Sequence, residues 1–230
     1  MPATTTLKER SIVRRRRRIG LCAAAAAVSC AVAAGPASAA LPEFIPGAGV
    51  PFTVKSGKTI LETVGKQKLT CLADTGAGEI IAPKNVTVVF VFSGCEHKKV
   101  MCNTPGVGPG EVVLQASGLL GYLVNPEIKT VGIDLSNPTG APLMQFVCGA
   151  ALRGFVVGSV IGQLTPVNKL VKPPAGFALK FSEAGGKQKI VKLFAEPVDV
   201  PMTSYGGPLE ESGLASTESI SFKIPVKVVA

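Results

Sequence analysis

Short runs of apolar, β-favouring residues recur along the chain from residue 51 onward. They return at intervals of about 8 to 12 residues, with Gly, Pro and Asn at the breaks, and no segment shows helical periodicity. This rhythm predicts an all-β fold with about ten or more short strands. We expect residues 51–230 to form one domain, an antiparallel β-sandwich, with a closed or partly open β-barrel as the alternative.

Two runs illustrate the predicted strands. Residues 85–92 are apolar at nearly every position, which predicts a central strand covered on both faces. Residues 177–181 alternate, with Phe177, Leu179 and Phe181 on one face, which predicts a strand with one buried face. The Gly-containing turn at 184–187 then predicts a hairpin with a second strand at 189–194.

The C-terminal run predicts another half-buried strand. Ile220, Phe222, Ile224, Val226 and Val228 share one face of it. Pro225 has no amide proton for a ladder hydrogen bond, so we expect this strand to lie at an edge or to carry a bulge.

The first 39 residues have the pattern of a cleaved signal peptide. Five arginines at 14–18 precede an apolar stretch at 19–34, and small residues at 37–40 end in an A-x-A cleavage site. The apolar stretch is shorter than the roughly 20 residues of a membrane span, and no later segment predicts one in the mature chain. The protein is therefore expected to be secreted, by the general or the twin-arginine route. Alternatively, Cys30 becomes a lipidated N-terminus that anchors the protein at the cell surface.

Removal of the leader changes the charge of the chain. Seven of the 24 basic residues and one of the 15 acids precede residue 40, so the net charge falls from +9 to +3. The remaining cations are scattered lysines and a single arginine, Arg153, a pattern that disfavours a nucleic-acid partner. The mature chain has no Trp, and its only tyrosines are Tyr122 and Tyr205, which disfavours a sugar-stacking surface. Residues 40–50 are rich in Pro and Gly and are expected to form a tether.

Four cysteines remain after the leader, an even number that predicts two disulfides in an exported chain. Four cysteines allow three pairings. We favour Cys95 with Cys102, which would pin the short polar segment between them, and Cys71 with Cys148. The C-x6-C spacing does not match the close ligand pairs of zinc sites, so we expect no metal and no cofactor.

The sequence contains no recognisable catalytic constellation. A Ser-His-Asp or Cys-His hydrolase needs a histidine, and His97 is the one histidine, expected in a solvated loop. Glu79, Glu111 and Asp134 lie near predicted strand starts or turns, but their spacing does not place two of them together for glycoside chemistry.

Several motifs between residues 90 and 162 occur in a fixed order. They are Phe-Ser-Gly-Cys-Glu at 92–96, Cys-Asn-Thr-Pro-Gly at 102–106, Gly-Glu-Val-Val at 110–113, Gly-Leu-Leu-Gly-Tyr-Leu at 118–123, Phe-Val-Cys-Gly at 146–149 and Gly-Ser-Val-Ile-Gly at 158–162. In this order the chain resembles a group of uncharacterised exported proteins from actinobacteria. The resemblance implies export and an all-β, disulfide-linked fold, and it carries no activity.

These observations favour a secreted or cell-envelope-associated, non-enzymatic β-domain with a structural or binding role and an unidentified protein or envelope partner. One alternative is a carrier that holds an apolar ligand in a barrel cavity. A second is a secreted hydrolase that works through carboxylates. The sequence leaves the oligomeric state open.

Overall fold

The computed structural model describes residues 42–124 and 126–230, in which every regular element is a β-strand. The eighteen strands are β1 Glu43–Ile45, β2 Val50–Ser56, β3 Thr59–Thr63, β4 Lys68–Cys71, β5 Ala73–Ala82, β6 Asn85–Ser93, β7 Glu96–His97, β8 Val100–Asn103, β9 Val112–Tyr122, β10 Val131–Ser136, β11 Met144–Cys148, β12 Leu152–Val157, β13 Val160–Thr165, β14 Leu170–Val171, β15 Gly176–Phe181, β16 Met202–Tyr205, β17 Glu210–Phe222 and β18 Val226–Val229.

The strands pair antiparallel in two circuits that share the long strand β17. The first follows the order β15-β13-β10-β9-β6-β5-β2-β17, and β17 also pairs with β15. It consists of two four-stranded layers, joined where β9 pairs with β10 and where β2 pairs with β17. The second circuit continues from β17 through β16-β12-β11-β8-β7-β4-β3 and returns to β17. A separate three-stranded sheet has the order β1-β18-β14.

Apolar side chains from both layers fill the space between them. Phe52 and Val86 come from one layer, and Ile133, Leu164 and Phe177 come from the other; all five are buried. They line a void of only about 10 Å³. The core is therefore packed to the density expected of a protein interior, and the predicted all-β, sandwich-like fold is confirmed.

Strand β6 differs from its prediction. Its burial alternates along Asn85–Ser93, and Val89 on the outer face is 38% exposed. The prediction of a strand covered on both faces is wrong because β-branched residues also favour exposed strand positions, where they suit the pleated backbone. The alternation predicted for residues 177–181 is confirmed in β15, where Phe177, Leu179 and Phe181 are buried.

The C-terminal run forms two strands in place of one. Strand β17 ends at Phe222, and β18 begins at Val226 and lies between β1 and β14. Pro225 lies in the break between these strands, and Ile224 is exposed. The proline therefore separates two sheets, and the prediction of one edge or bulged strand is corrected.

The predicted tether at residues 40–50 is wrong for its described part. Strand β1 pairs with β18, and Phe44 is buried at 4% exposure. The backbone N–H of Phe44 also donates to the carbonyl of Pro83 at 2.7 Å. Burial of one large aromatic side chain outweighs the loop tendency of the flanking Pro and Gly residues. The predicted leader at 1–39, its cleavage site and Cys30 lie outside the described residues.

In the part of the chain that the structure describes, no helix is long and apolar enough to cross a membrane.

The described residues contain two disulfides, and their partners differ from those favoured from the sequence. Cys71 is bonded to Cys95, and Cys102 is bonded to Cys148. Cys102 and Cys148 are direct partners in the register of β8 and β11. The carbonyl of Ser93 accepts a hydrogen bond from the N–H of Leu72 at 2.9 Å, which brings the end of β4 next to the end of β6. Strand pairing therefore selects the partners, and proximity in sequence does not.

The bonds close segments of 24 and 46 residues. On the chain-entropy model they contribute about 3 and about 4 kcal/mol to the free energy of unfolding. Both lie in the second circuit or at its border, where several strands have only two to four residues. The disulfides supply there the stability that short strands lack.

Disulfide mapping of the unreduced protein tests this pairing. Trypsin places each cysteine on its own peptide, at residues 69–84, 85–98, 100–129 and 130–153. We expect 69–84 linked to 85–98 and 100–129 linked to 130–153, as measured by mass spectrometry before and after reduction. Recovery of 85–98 linked to 100–129 would restore the pairing favoured from the sequence.

Candidate functional site

The candidate site lies along β17, where its neighbour contains a bulge. Strands β2 and β3 pair with the same side of β17, at Ser219↔Lys55 and at Ala215↔Ile60. Three residues of β17 lie between these pairs, whereas four residues lie between Lys55 and Ile60. The extra residue is a β-bulge that includes Gly57 and Lys58, a feature that redirects side chains and is frequent beside functional sites.

Two carboxyl groups lie beneath this bulge. Glu218 on β17 and Asp74 on β5 are 1% and 2% exposed. The register aligns Asp74 with Ser56, and the Ser219↔Lys55 pair places Ser56 opposite Glu218. Ser56 therefore lies between the two carboxyl groups, and its hydroxyl donates to Asp74 Oδ2.

One oxygen of each carboxyl group accepts hydrogen bonds from hydroxyl groups. Ser216 Oγ donates to Glu218 Oε1, and Thr59 Oγ1 donates to Asp74 Oδ2 at 3.4 Å. The other two oxygens, Asp74 Oδ1 and Glu218 Oε2, accept no hydrogen bond from a donor among the described residues. A proton on Glu218 satisfies this arrangement, because a carboxylic acid can donate to the neighbouring carboxylate.

The environment favours this protonated state. Burial raises the pKa of Glu218 to about 8; the hydrogen bond from Ser216 opposes this rise, and the charge of Asp74 adds to it. The pair lies beneath the sheet, where neither side chain is more than 2% exposed. It is therefore a buried pair of acids in which burial favours the protonated form of Glu218, and a substrate has little access to either side chain.

Above the pair, an open groove of about 590 Å³ crosses the outer side of β17. We name it the lysine groove, because three lysines line it. Its polar lining residues are Lys58, Lys180, Lys189, Ser182, Glu183, Ser216 and Thr217. Lys58 comes from the bulge, and Lys180 lies on β15 directly opposite Thr217. Ser216 links the groove to the buried pair, because it lines the groove and its hydroxyl donates to Glu218.

A tightly held loop fixes one wall of the groove. The N–H of Lys189 donates to the carbonyl of Ser182 at 2.9 Å, and that of Ala184 donates to Lys187. Buried Gln188 accepts a hydrogen bond from the N–H of Leu214 at 2.8 Å. The predicted turn at 184–187 is thus present, but residues 189–194 form no strand, and the hairpin prediction is corrected.

Glycine permits the loop to approach β17 closely. A Cβ atom at Gly213 would lie 2.6 Å from the Cβ of Glu183 and 2.9 Å from the N of Gln188. These distances are shorter than real Cβ contacts, so no larger residue fits without moving the loop. Gly213 therefore helps to position Lys189.

No acidic partner of the three groove lysines is found among the described residues. Lys66, Lys68, Lys84 and Lys187 form ion pairs within 4 Å. No ion pair involves Lys58, Lys180 or Lys189 among the described residues. The one acid in the groove lining, Glu183, accepts a hydrogen bond from the N–H of Gly186 at 2.9 Å. The groove is therefore a locally cationic surface, lined by three lysines and one acid.

His97 has a different position from the one predicted. It is 4% exposed, and its ring stacks on Tyr205 with the ring centroids 4.8 Å apart. Its Nδ1 lies 2.8 Å from the carbonyl oxygen of Lys68. Burial also raises the pKa of the Tyr205 phenol. The prediction of a solvated loop residue is wrong, because His97 packs as an aromatic residue in the core of the second circuit.

The structure does not bring the three acids considered from the sequence together. Glu79 is exposed on β5, and Glu111 is exposed just before β9. Asp134 lies on β10, separated from β5 by β6 and β9. Burial raises the pKa of Asp134; a hydrogen bond from Ser159 opposes this, and the charges of Asp199 and Glu196 add to it.

The acids that do meet, Asp74 and Glu218, are missed by sequence reasoning. One signal was available for Glu218: it occupies an inward position in the alternation of residues 216–222, where an apolar residue is expected. Asp74 has no comparable signal, because its neighbours in β5 are small residues without a clear apolar face.

Among residues 42–124 and 126–230, no group of three or more His, Cys, Asp or Glu side chains could hold a metal ion. No protein-family model, curated protein or solved structure matches this chain.

The buried acid pair predicts an unusual dependence of stability on pH. Because the pKa of Glu218 is about 8 in the folded state and near 4.5 when unfolded, the unfolded chain loses this proton first as the pH rises. The contribution of Glu218 to the free energy of unfolding is fully present below about pH 4.5, and it is lost as the pH rises through about 8. We expect Glu218→Gln to raise the unfolding free energy at pH 8 by about 2 kcal/mol and to flatten its fall between pH 5 and 8.

Urea unfolding at several pH values measures this effect. The matched control is Glu79→Gln, which removes an exposed carboxyl and should leave the pH profile unchanged. An unaltered profile in Glu218→Gln would mean that Glu218 is ionised in the folded protein.

Gln188→Ala tests how the loop is held. The change leaves the buried N–H of Leu214 without its acceptor, so we expect a loss of about 1 to 3 kcal/mol and faster tryptic cleavage after Lys187 and Lys189. Gln115→Ala, at an exposed position on β9, is the control. Equal cleavage rates in both variants would show that Gln188 does not anchor the loop.

Proposed function

We propose that the chain is a secreted or cell-envelope-associated, non-enzymatic β-domain that acts by binding through its outer surface. The observation that carries this proposal is the lysine groove. It joins three lysines that have no ion pair within the described part of the chain, and a bulge and an anchored loop form its walls. A rigid, charged surface of this kind suits recognition of a partner.

The interior supports an external binding role over the two alternatives. An apolar carrier needs a cavity of several hundred Å³, whereas the packed core contains a void of about 10 Å³. A carboxylate hydrolase needs two acids that reach a substrate, and Asp74 and Glu218 are sealed beneath the sheet. Neither alternative has an observation in its favour.

The disulfides support an extracellular location, because such bonds persist in oxidising compartments. The same compartment is implied by the leader pattern at residues 1–39. Export then leaves a chain with a charge near +3, whose cations are mostly dispersed over the surface. The concentration of three lysines in one groove is therefore a local property of the fold.

Fractionation of cells that naturally produce the chain tests this proposal. We expect the protein in the medium or on the envelope, with a mass that corresponds to a start at Ala40 or to a lipid on Cys30. Salt should release the envelope-bound fraction of a chain that starts at Ala40. Recovery in the cytoplasm with Met1 retained and four free thiols would contradict the proposal.

A further inference from the structure

We infer that the lysine groove binds the phosphate groups of a linear anionic polymer. This inference rests on the proposed function, since it names the ligand of the same surface. The argument begins with charge: Lys58, Lys180 and Lys189 have no ion pair among the described residues, and Glu183 is held by its own loop. An anion is the ligand that balances such a surface.

Lysine can bind phosphate through its charge. An ammonium group acts as a compact point charge with three donors, and the oxygens of a phosphate accept from them. The planar fork of arginine binds carboxylates and phosphates alike through paired hydrogen bonds. The one arginine of the described chain, Arg153, lines a different groove. Hydroxyl groups of Ser182 and Thr217 lie among the lysines and offer further donors.

The shape of the surface indicates a polymer. The groove is open, with no pocket that encloses a single small ion. Its cationic character continues along the outer side of the sheet, because exposed Lys55 pairs in register with exposed Ser219 two positions beyond Thr217. Ser221 follows on the same side of β17. Successive phosphates of an extended chain can therefore contact successive donors.

The rigidity of the groove limits the cost of binding. Lys180 lies on a paired strand, Lys58 directly precedes β3, and Lys189 follows Gln188, which is hydrogen-bonded to β17. Ordering of flexible backbone is therefore largely avoided, and the lysine side chains contribute most of the entropic cost. A rigid sheet also keeps the spacing of the cations constant.

Binding of inorganic polyphosphate to the exported protein tests this inference, with calorimetry at several salt concentrations as the measurement. We expect the triple variant Lys58→Gln, Lys180→Gln and Lys189→Gln to lose at least about tenfold in affinity at 50 mM salt. The slope of log affinity against log salt should fall by about 2, since each lost contact removes about 0.7 of a released ion.

The matched control replaces Lys98, Lys169 and Lys172 with Gln. These three exposed lysines lie outside the groove and form no ion pair with any residue that the structure describes. It loses the same charge and should retain the wild-type affinity and slope. Equal losses in both triple variants would overturn the inference, because binding would then depend on net charge alone.

Two further arms separate this inference from the proposed function. Polyglutamate of equal charge should bind at least about tenfold more weakly than polyphosphate, and vesicles with anionic headgroups should not outcompete it. If polyglutamate binds better than polyphosphate, the phosphate inference fails, and if the vesicles bind better, the inference of a linear polymer fails. In either case the proposed function stands when only the groove variant loses the ligand. If the groove variant binds its envelope and every probe as the wild type does, both fail.

Discussion

The pairing of β17 with four other strands is the constraint on which the rest of the structure depends. This 13-residue strand pairs with β2 and β3 on one side and with β15 and β16 on the other. It thereby belongs to both circuits, and its inward residues enter both cores. The bulge between β2 and β3 exists because two strands must follow one long neighbour. The lysine groove and the buried acid pair lie on the two sides of β17 at this point.

The buried acid pair shows how such a fold accommodates a destabilising element. Ser56, Ser216 and Thr59 supply hydrogen-bond donors to Asp74 and Glu218 beneath the sheet, and burial favours the uncharged form of Glu218. Two disulfides and a filled core compensate for this cost. Ser216 lines the groove, and its hydroxyl donates to Glu218. The Glu218 carboxyl therefore contacts a residue of the groove lining directly.

The general architecture could be predicted from residue patterns, whereas long-range pairing could not. Alternation of Phe177, Leu179 and Phe181 reports directly which face is buried, because neighbouring residues in a strand point to opposite faces. Disulfide partners and the Asp74 and Glu218 contact depend on which strands become neighbours, and local sequence contains no information about that choice. His97 illustrates the same limit: its polar flanks predict exposure, but its ring packs against Tyr205 from a strand about 100 residues away. The lysines of the groove were visible only as scattered charges.

The central claim is that this protein binds an anion on the outer side of β17 and that its filled core has no room for a ligand. Amide chemical shifts recorded during titration with polyphosphate test it most directly, because they locate the ligand at residue resolution without any substitution. The account predicts the largest shifts at residues 57–58, 180–183, 189 and 215–217, with little change at the packed core residues Ile133 and Leu164. Shifts centred on Lys98 and Lys99, or spread evenly over all exposed lysines, would contradict it.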